Sequence, residues 1–261
     1  MIKIGGNIID DEAKLSGFLL EFASVKGKKI LVHGGGKLAT RLATELSLPQ
    51  QMVEGRRITD AETLKVITMV YAGYINKNIV AQLQALGANA LGICGADGNA
   101  VRAHKRVPKA VETQTIDYGF VGDVDEVNAA FLQTLLNAGM AVVVAPVTHD
   151  MHGQLLNTNA DTIAQEIAKS LSEFYAVSLI YSFEKTGVLL DVDNENTLIR
   201  KLGIKYYREL KDTGAIFAGM IPKLDNAFAA LDSGVEKVII GKAEELQKLI
   251  EGQSGTTISL N

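Results

Sequence analysis

The sequence predicts an α/β protein with a mostly parallel sheet covered by helices on both faces. Short apolar runs alternate with amphipathic helical stretches along the 261 residues. Runs such as "MAVVVA" are apolar at consecutive positions, as in strands buried on both faces. Glycine-rich stretches follow several of these strands, where parallel sheets place their ligand crevices.

Ile2–Ile4 reads as the first strand, and residues 11–25 as a helix with Leu15, Phe18, Leu19 and Phe22 on one face. A strand over Lys29–Val32 and a helix over Leu38–Leu46 follow. "LPQQMVEGRRIT" reads as a hairpin or long loop turning at Gly55. Thr59 or Asp60 then caps a long helix. Its apolar positions are Ala61, Leu64, Ile67, Tyr71, Ile75, Ile79, Leu83 and Leu86, and they suit either a partner subunit or the protein's own core.

Ala88–Ile93 reads as a strand, and residues 95–125 as hairpins. Asn128–Ala138 is helical and Met140–Ala145 a core strand. "LLNTNADTIAQEIAKSL" reads as a loop opening into a helix over 162–171, followed by a strand over Glu173–Tyr181. Tyr206–Thr213 is a short helix, and "GAIFAGMIPK" leads into a helix over 222–233. Val238–Ile240, Glu244–Ile250 and Thr256–Leu260 close the chain as strand, helix and strand. The division between lobes falls near 170–175.

Composition narrows the function. Hydrophobic residues at 47% can build a large core, and a net charge of −4 without a dense basic block argues against nucleic acid. No apolar run spans a membrane, and "MIKIGGNIIDDE" turns acidic where a signal peptide would stay apolar. The single Cys94 allows no internal disulfide and fits a reducing cytoplasm, with its thiol expected in the core. His149 and His152 read as loop histidines rather than zinc ligands.

Three consecutive glycines, Gly34 to Gly36, cost backbone entropy in any ordered structure. They and "KIGGN" favour backbone N–H groups that approach an anion, helped by a following helix N-terminus. G-x-x-x-x-G-K-[ST], G-x-G-x-x-G at a helix start and G-x-S-x-G are all absent. Lys3 sits in an apolar strand, where a lysine needs a partner or an edge position. Lys223 sits at a helix start, where the helix dipole disfavours a cation. Asp161 reads locally as an N-cap or first-turn acid, and Arg57 as a surface residue or a carboxylate clamp.

"IKIGGN", "LVHGGGK", "EGRRIT", "GICGADG", "LNTNAD", "AGMIPKL" and "GTTISL" occur in one order along the chain. Together they resemble the amino acid kinase family, in its branch acting on N-acylated glutamate. That resemblance implies a three-layer αβα sandwich. It divides the chain into a substrate-binding and dimerisation lobe at 1–172 and an ATP-binding lobe at 173–261. It implies transfer of the ATP γ-phosphoryl group to the side-chain carboxylate of N-acetyl-L-glutamate, in arginine biosynthesis. The same chemistry on N-succinyl-L-glutamate, a sibling carboxylate or carbamate kinase, and a silent regulatory protein are the alternatives.

By the same resemblance, Lys3 and Lys223 approach the phosphoryl group and Asp161 holds them. Gly35, Gly36, Arg57, Asn157 and Asn159 bind the amino-acid substrate. Gly5, Gly6, Gly34, Phe183, Gly187, Leu189, Gly219 and Met220 meet the nucleotide. Mg²⁺ is held mainly by ATP, with no protein metal cage. "YSFEKTGVL" departs from the family's usual nucleotide loop at Phe183 and Glu184. The chain starts at its first strand, without the extra helix of arginine-inhibited members, which implies a homodimer without arginine feedback, joined through helix 60–86.

Overall fold

A computed structural model describes residues 1–53, 56–111, 114–216 and 218–261. An eight-stranded sheet runs through the middle of the molecule. Its order is Lys201–Gly203, Thr256–Ser259, Lys237–Lys242, Ser178–Phe183, Ile2–Ile4, Ile30–His33, Ala141–Ala145 and Ala90–Cys94. Neighbours are parallel except Lys237–Lys242 with Thr256–Ser259.

Period-two alternation sends side chains into two separate cores. Ile30, Val32, Val142, Val144, Leu179, Tyr181, Val238 and Ile240 face one, under helices Ala129–Asn137, Ala160–Ser172, Ile204–Asp212 and Ile221–Asp232. Leu31, Val143, Ile180 and Ile239 face the other, under helices Glu12–Ser24, Gly36–Glu45 and Leu246–Glu251 and the long helix. The protein is thus the three-layer αβα sandwich expected. Ile2 and Ile4 belong to the second core, so Lys3 between them faces the first, in register with Val32 and Tyr181.

A smaller four-stranded sheet, ordered Leu155–Asn157, Val147–His149, Val101–Lys105 and Gly122–Val127, is fed by the chain leaving the carboxyl ends of Ala90–Cys94 and Ala141–Ala145 at one edge of the main sheet. The bridges Thr59↔Gly119 and Val121↔Asn157 tie it to the start of the long helix. Met52–Val53 pairs antiparallel with Arg56–Arg57, as the hairpin reading required. The expected turn at Gly55 lies outside the described residues.

The long helix is continuous from Ala61 to Ala85, with its middle, Thr68–Ile75, wound as a π-helix. Asp60 is its cap, accepting from the Thr63 N–H at 2.7 Å. Leu64, Ile67, Tyr71, Ile75, Ile79 and Leu83 are buried in the protein's own core; Ala61 and Leu86 are exposed. The apolar spacing therefore overruns the buried stripe by one residue at each end.

Other expectations need correction. The helix before Ser178–Phe183 runs to Ser172, so Glu173 starts no strand. Leu155–Asn157 is a strand rather than a loop, because it pairs with Val147–His149. Gly6–Ile9 forms a short helix, and Lys201–Gly203 is an edge strand that three residues were too few to signal. Lys3 is not at an edge, since its strand is flanked on both sides. Cys94 is half-buried at a strand end, with its thiol pKa pushed up mainly by burial. His149 bonds Asn99 Oδ1 through Nε2 at 2.9 Å.

Gly35 explains one of the three glycines. Its φ is +150°, and an added Cβ would lie 2.3 Å from Ile75 Cδ1 and 3.1 Å from the Tyr71 ring. The π-wound segment crowds it. Gly35→Ala is therefore expected to destabilise the fold by about 1–3 kcal/mol in denaturant unfolding. Gly34→Ala, with nothing within 4 Å of the added Cβ, is expected to stay within about 0.5 kcal/mol of the parent.

Candidate active site

Three charged groups meet on the first-core face of the central strand. Asp161 enters in the first turn of Ala160–Ser172, and Lys223 in the first turn of Ile221–Asp232, next to Pro222. Lys3 Nζ lies 2.7 Å from Asp161 Oδ1, off hydrogen-bonding geometry. Lys223 Nζ donates to Asp161 Oδ2 at 2.5 Å. Asp161 is not the N-cap of its helix; Asn159 is, accepting from the Asp161 and Thr162 N–H groups at 2.8 and 3.1 Å. The carboxylate is thereby left for the lysines.

Burial opposes ionisation of Asp161, but Lys3 and Lys223 outweigh it and hold the carboxyl well below the usual carboxylate range. Burial also lowers the Lys3 pKa; Asp161 pulls it back up, and Lys223 pushes it further down. Two ammonium groups share one carboxylate, so the cluster carries an unmatched positive charge. Glu184 lies near enough to Lys3 to raise its pKa, and it accepts from Asn7 Nδ2. Glu184, at the family loop's point of departure, thus faces the charged cluster.

Two cavities adjoin this cluster, with Arg106 and Asn159 in the lining of both. The first, about 250 Å³, is lined by Gly34, Gly35, Gly36, Arg57, Asn157 and Asn159, together with Tyr71. Every expected substrate residue is in that lining. Around Gly34 there is no atom within 4 Å of an added Cβ, and at Gly36 only the Tyr71 hydroxyl at 3.9 Å. The protein's own packing does not demand glycine at these two positions, so the free space beside their backbone is available to a ligand. Arg57 Nη2 donates to the Gly36 carbonyl at 3.1 Å and Thr40 Oγ1 at 2.7 Å, and Nη1 to Gln50. Asn157 Nδ2 donates to Thr59 Oγ1 at 3.0 Å.

The second cavity, about 950 Å³, is lined by Asp161, Lys223 and Gly219. The remaining nucleotide candidates are placed less uniformly. Gly5 N–H donates to the Ser182 carbonyl at 2.9 Å, so this N–H is engaged within the sheet. Gly6 begins a helix, where N–H groups lie outside the intrahelical ladder. Phe183 packs its Cβ 3.4 Å from where a Gly5 Cβ would sit. Gly187, at φ +157°, packs against Thr256 and Leu198, and Leu189 is buried and bridged to Leu198. Met220 packs against the first core. Gly187, Leu189 and Met220 thus have structural tasks in this loop region.

No site role is expected from the sequence for Tyr71 or for the buried hydroxyls of Ser182 and Thr186, and Arg106 is flagged only as part of a basic segment in the substrate half. Those hydroxyls have no hydrogen-bond partner among the described residues. The short basic stretch "AHKRVPK" at 103–109 is the sequence signal for Arg106; the hydroxyls have none. Among the described residues, no group of three or more His, Cys, Asp or Glu side chains could hold a metal ion. No helix among the described residues is long and apolar enough to cross a membrane.

His33 holds the glycine stretch from below. Its Nδ1 donates to the Gly34 carbonyl at 2.8 Å, and its Nε2 accepts from Asn76 Nδ2 at 3.2 Å. Asn76 Nδ2 also donates to the Val143 carbonyl at 3.0 Å.

Residues 1–242 match the model of the amino acid kinase family. The chain is 54% identical over 250 residues to a protein from Cytophaga hutchinsonii named acetylglutamate kinase, covering 96% of this chain and 93% of that one. It is 53% identical over 248 residues to the protein of that name from Parabacteroides distasonis, covering 95% of each. A solved structure of N-acetylglutamate synthase from Neisseria gonorrhoeae, complexed with coenzyme A and N-acetyl-glutamate, superposes with a TM-score of 0.82 at 23% identity. It matches over 99% of this chain and 58% of that one, and shows likeness of fold.

Burial lowers the His33 pKa to about 4 from its ordinary 6.5. Between those values the unfolded chain binds a proton that the folded protein does not. The His33 contribution to stability is therefore complete above about pH 6.5 and lost as pH falls toward about 4. Chemical denaturation across that window is expected to give a steeper loss for the parent than for His33→Gln.

Proposed function

The chain belongs to the amino acid kinase family, and from that membership we propose that it transfers the γ-phosphoryl group of ATP to the side-chain carboxylate of N-acetyl-L-glutamate. The product is N-acetyl-L-glutamyl 5-phosphate, an acyl phosphate of arginine biosynthesis. The relatives that share half its sequence over nearly its whole length are named for this reaction. One observation carries the reading at the level of the site. Lys3 and Lys223 are held by one carboxylate beside a cavity that presents Arg57 and open glycine backbone.

The nucleophile needs no general base, because a carboxylate is ionised at neutral pH. A carboxylate oxygen attacks the γ-phosphorus, and the bond to the bridging oxygen breaks, with its electron pair leaving on ADP. The obstacle is repulsion between two anions, together with charge on the transferring group. In-line positioning and fixed cations answer both. Lys3 and Lys223 supply the charge, and Asp161 keeps both ammonium groups aimed at one point. Arg57 clamps the α-carboxylate, with Gly35 and Gly36 backbone and the Asn157 and Asn159 amides around the rest of the substrate.

The nucleotide occupies the side of the cluster formed by residues 173–261, with its phosphates toward Gly6, Gly34 and Gly219. Lobe 1–172 then serves the amino acid. Both oxygens of Asp161 are engaged by lysines, so the carboxylate nearest the reaction does not fit a metal. We therefore assign Mg²⁺ to the ATP phosphates. Met69 and Tyr74, both exposed on the outer face of the long helix, suit it to homodimer contact. A lone half-buried cysteine suits the cytoplasm.

The test is to trap acyl phosphate with hydroxylamine in the presence of ATP and Mg²⁺. Hydroxamate is expected from N-acetylglutamate and not from free glutamate, aspartate or N-acetylaspartate. Signal only from a free amino acid would move the chain to a sibling activity. Lys223→Ala is expected to lower kcat by about 10²- to 10³-fold with the fold intact, and an unchanged rate would remove it from the reaction. Arg57→Ala is expected to raise KM for N-acetylglutamate with kcat nearly kept. A change confined to the KM for ATP would reverse the assignment of the two lobes.

A further inference from the structure

Arg106 lies outside the motifs that carry the resemblance, yet it occupies the junction of both cavities. Asp123 grips the guanidinium along one edge. Nε lies 3.1 Å from each Asp123 oxygen, and Nη2 also donates to Oδ1. The Tyr118 ring stands 5.6 Å from its Cζ. These contacts fix the plane of the group and leave one nitrogen over. Nη1 is buried and has no hydrogen-bond partner among the described residues. A buried donor on a charged group is costly to leave unmade, and no described residue supplies the acceptor, so a ligand oxygen can fill that role.

We propose that Arg106 Nη1 donates to an oxygen of the substrate's N-acyl group, making Arg106 a determinant of specificity for acylated glutamate. This rests on the N-acylglutamate reading above. On that reading the α-carboxylate belongs to Arg57 and the reacting carboxylate to the lysines. The acyl oxygens are the acceptors left over. Val121 and Pro146 line the same cavity as Arg106 and offer apolar surface to the acyl carbons. Asp123 already balances the Arg106 charge, so an amide carbonyl needs no counter-charge there. The distal carboxylate of a dicarboxylic acyl group would offer the same kind of acceptor oxygen.

The experiment measures hydroxamate formation by Arg106→Met and Arg106→Lys with N-acetylglutamate and N-succinylglutamate. For Arg106→Met, KM for the acylated substrate is expected to rise about 10- to 100-fold, with kcat within about threefold of the parent. The KM for ATP should not move, which separates lost contact from damaged fold. Arg106→Lys keeps a cation against Asp123 but not the forked donor set, so it too should raise KM, and it serves if the Met variant does not fold. An equal rise with both substrates assigns the amide carbonyl. A larger rise with N-succinylglutamate assigns the distal carboxylate; either outcome supports an acyl oxygen. Unchanged KM in a folded variant, or a loss confined to kcat, would overturn the inference while leaving the function standing. A parent enzyme inactive on every N-acylglutamate would overturn both.

Discussion

One carboxylate between two ammonium groups governs this site. Taking charges out of water is expensive, and a buried ion is tolerated only when it is paired with good geometry. Asp161 pairs with Lys3 and Lys223 at once, so its own charge is more than matched while theirs is not. Glu184 near Lys3 offsets part of the excess positive charge, and what remains favours an anion. A phosphoryl group supplies that anion without any group having to gain or lose a proton. The arrangement also explains why Lys223 tolerates a helix N-terminus, where the dipole opposes a cation: Asp161 faces it from the neighbouring helix.

The cluster depends on the order of strands. Ile2–Ile4 lies at the centre of the sheet, so Lys3 reaches the covered face from a strand that neither frays nor faces solvent. Asn159, Asp161 and Tyr181 divide the work around it. Asn159 caps the helix, Asp161 meets the lysines, and Tyr181 fills the core beside Lys3. The Tyr181 hydroxyl sits 3.4 Å from the Asp161 carbonyl, and its pKa is raised by burial first and then by Asp161 and Glu166. It stays neutral there and adds no charge to the balance.

The glycine stretch combines two different requirements. Gly35 is glycine because the π-wound segment presses Ile75 and Tyr71 against it. Gly34 and Gly36 are glycine where the protein leaves open space. His33 and Asn76 then hold the Gly34 carbonyl in place from a dry core, where a neutral imidazole with one donor and one acceptor nitrogen suits both neighbours. A sequence shows three identical residues; their surroundings separate a packing constraint from a ligand space.

The parallel α/β plan was legible in the sequence alone. Apolar runs such as Ala141–Ala145 and the amphipathic stripe of Glu12–Ser24 are local, periodic signals. So was the candidate status of Lys3, Lys223 and Asp161, because each residue type is unexpected or ambiguous in its local setting and the motif order joined them. The sequence did not reveal which acid caps the helix and which meets the lysines, since Asn159 and Asp161 are both good capping residues. It also did not reveal that Gly5 spends its N–H on Ser182, or that Arg106, which lines both cavities, has one nitrogen without a partner among the described residues. Those facts depend on partners far away in the chain. Ser182 is brought to Gly5, Asp161 to Lys3 and Asp123 to Arg106 by sheet pairing and helix packing, and no local pattern records such long-range meetings.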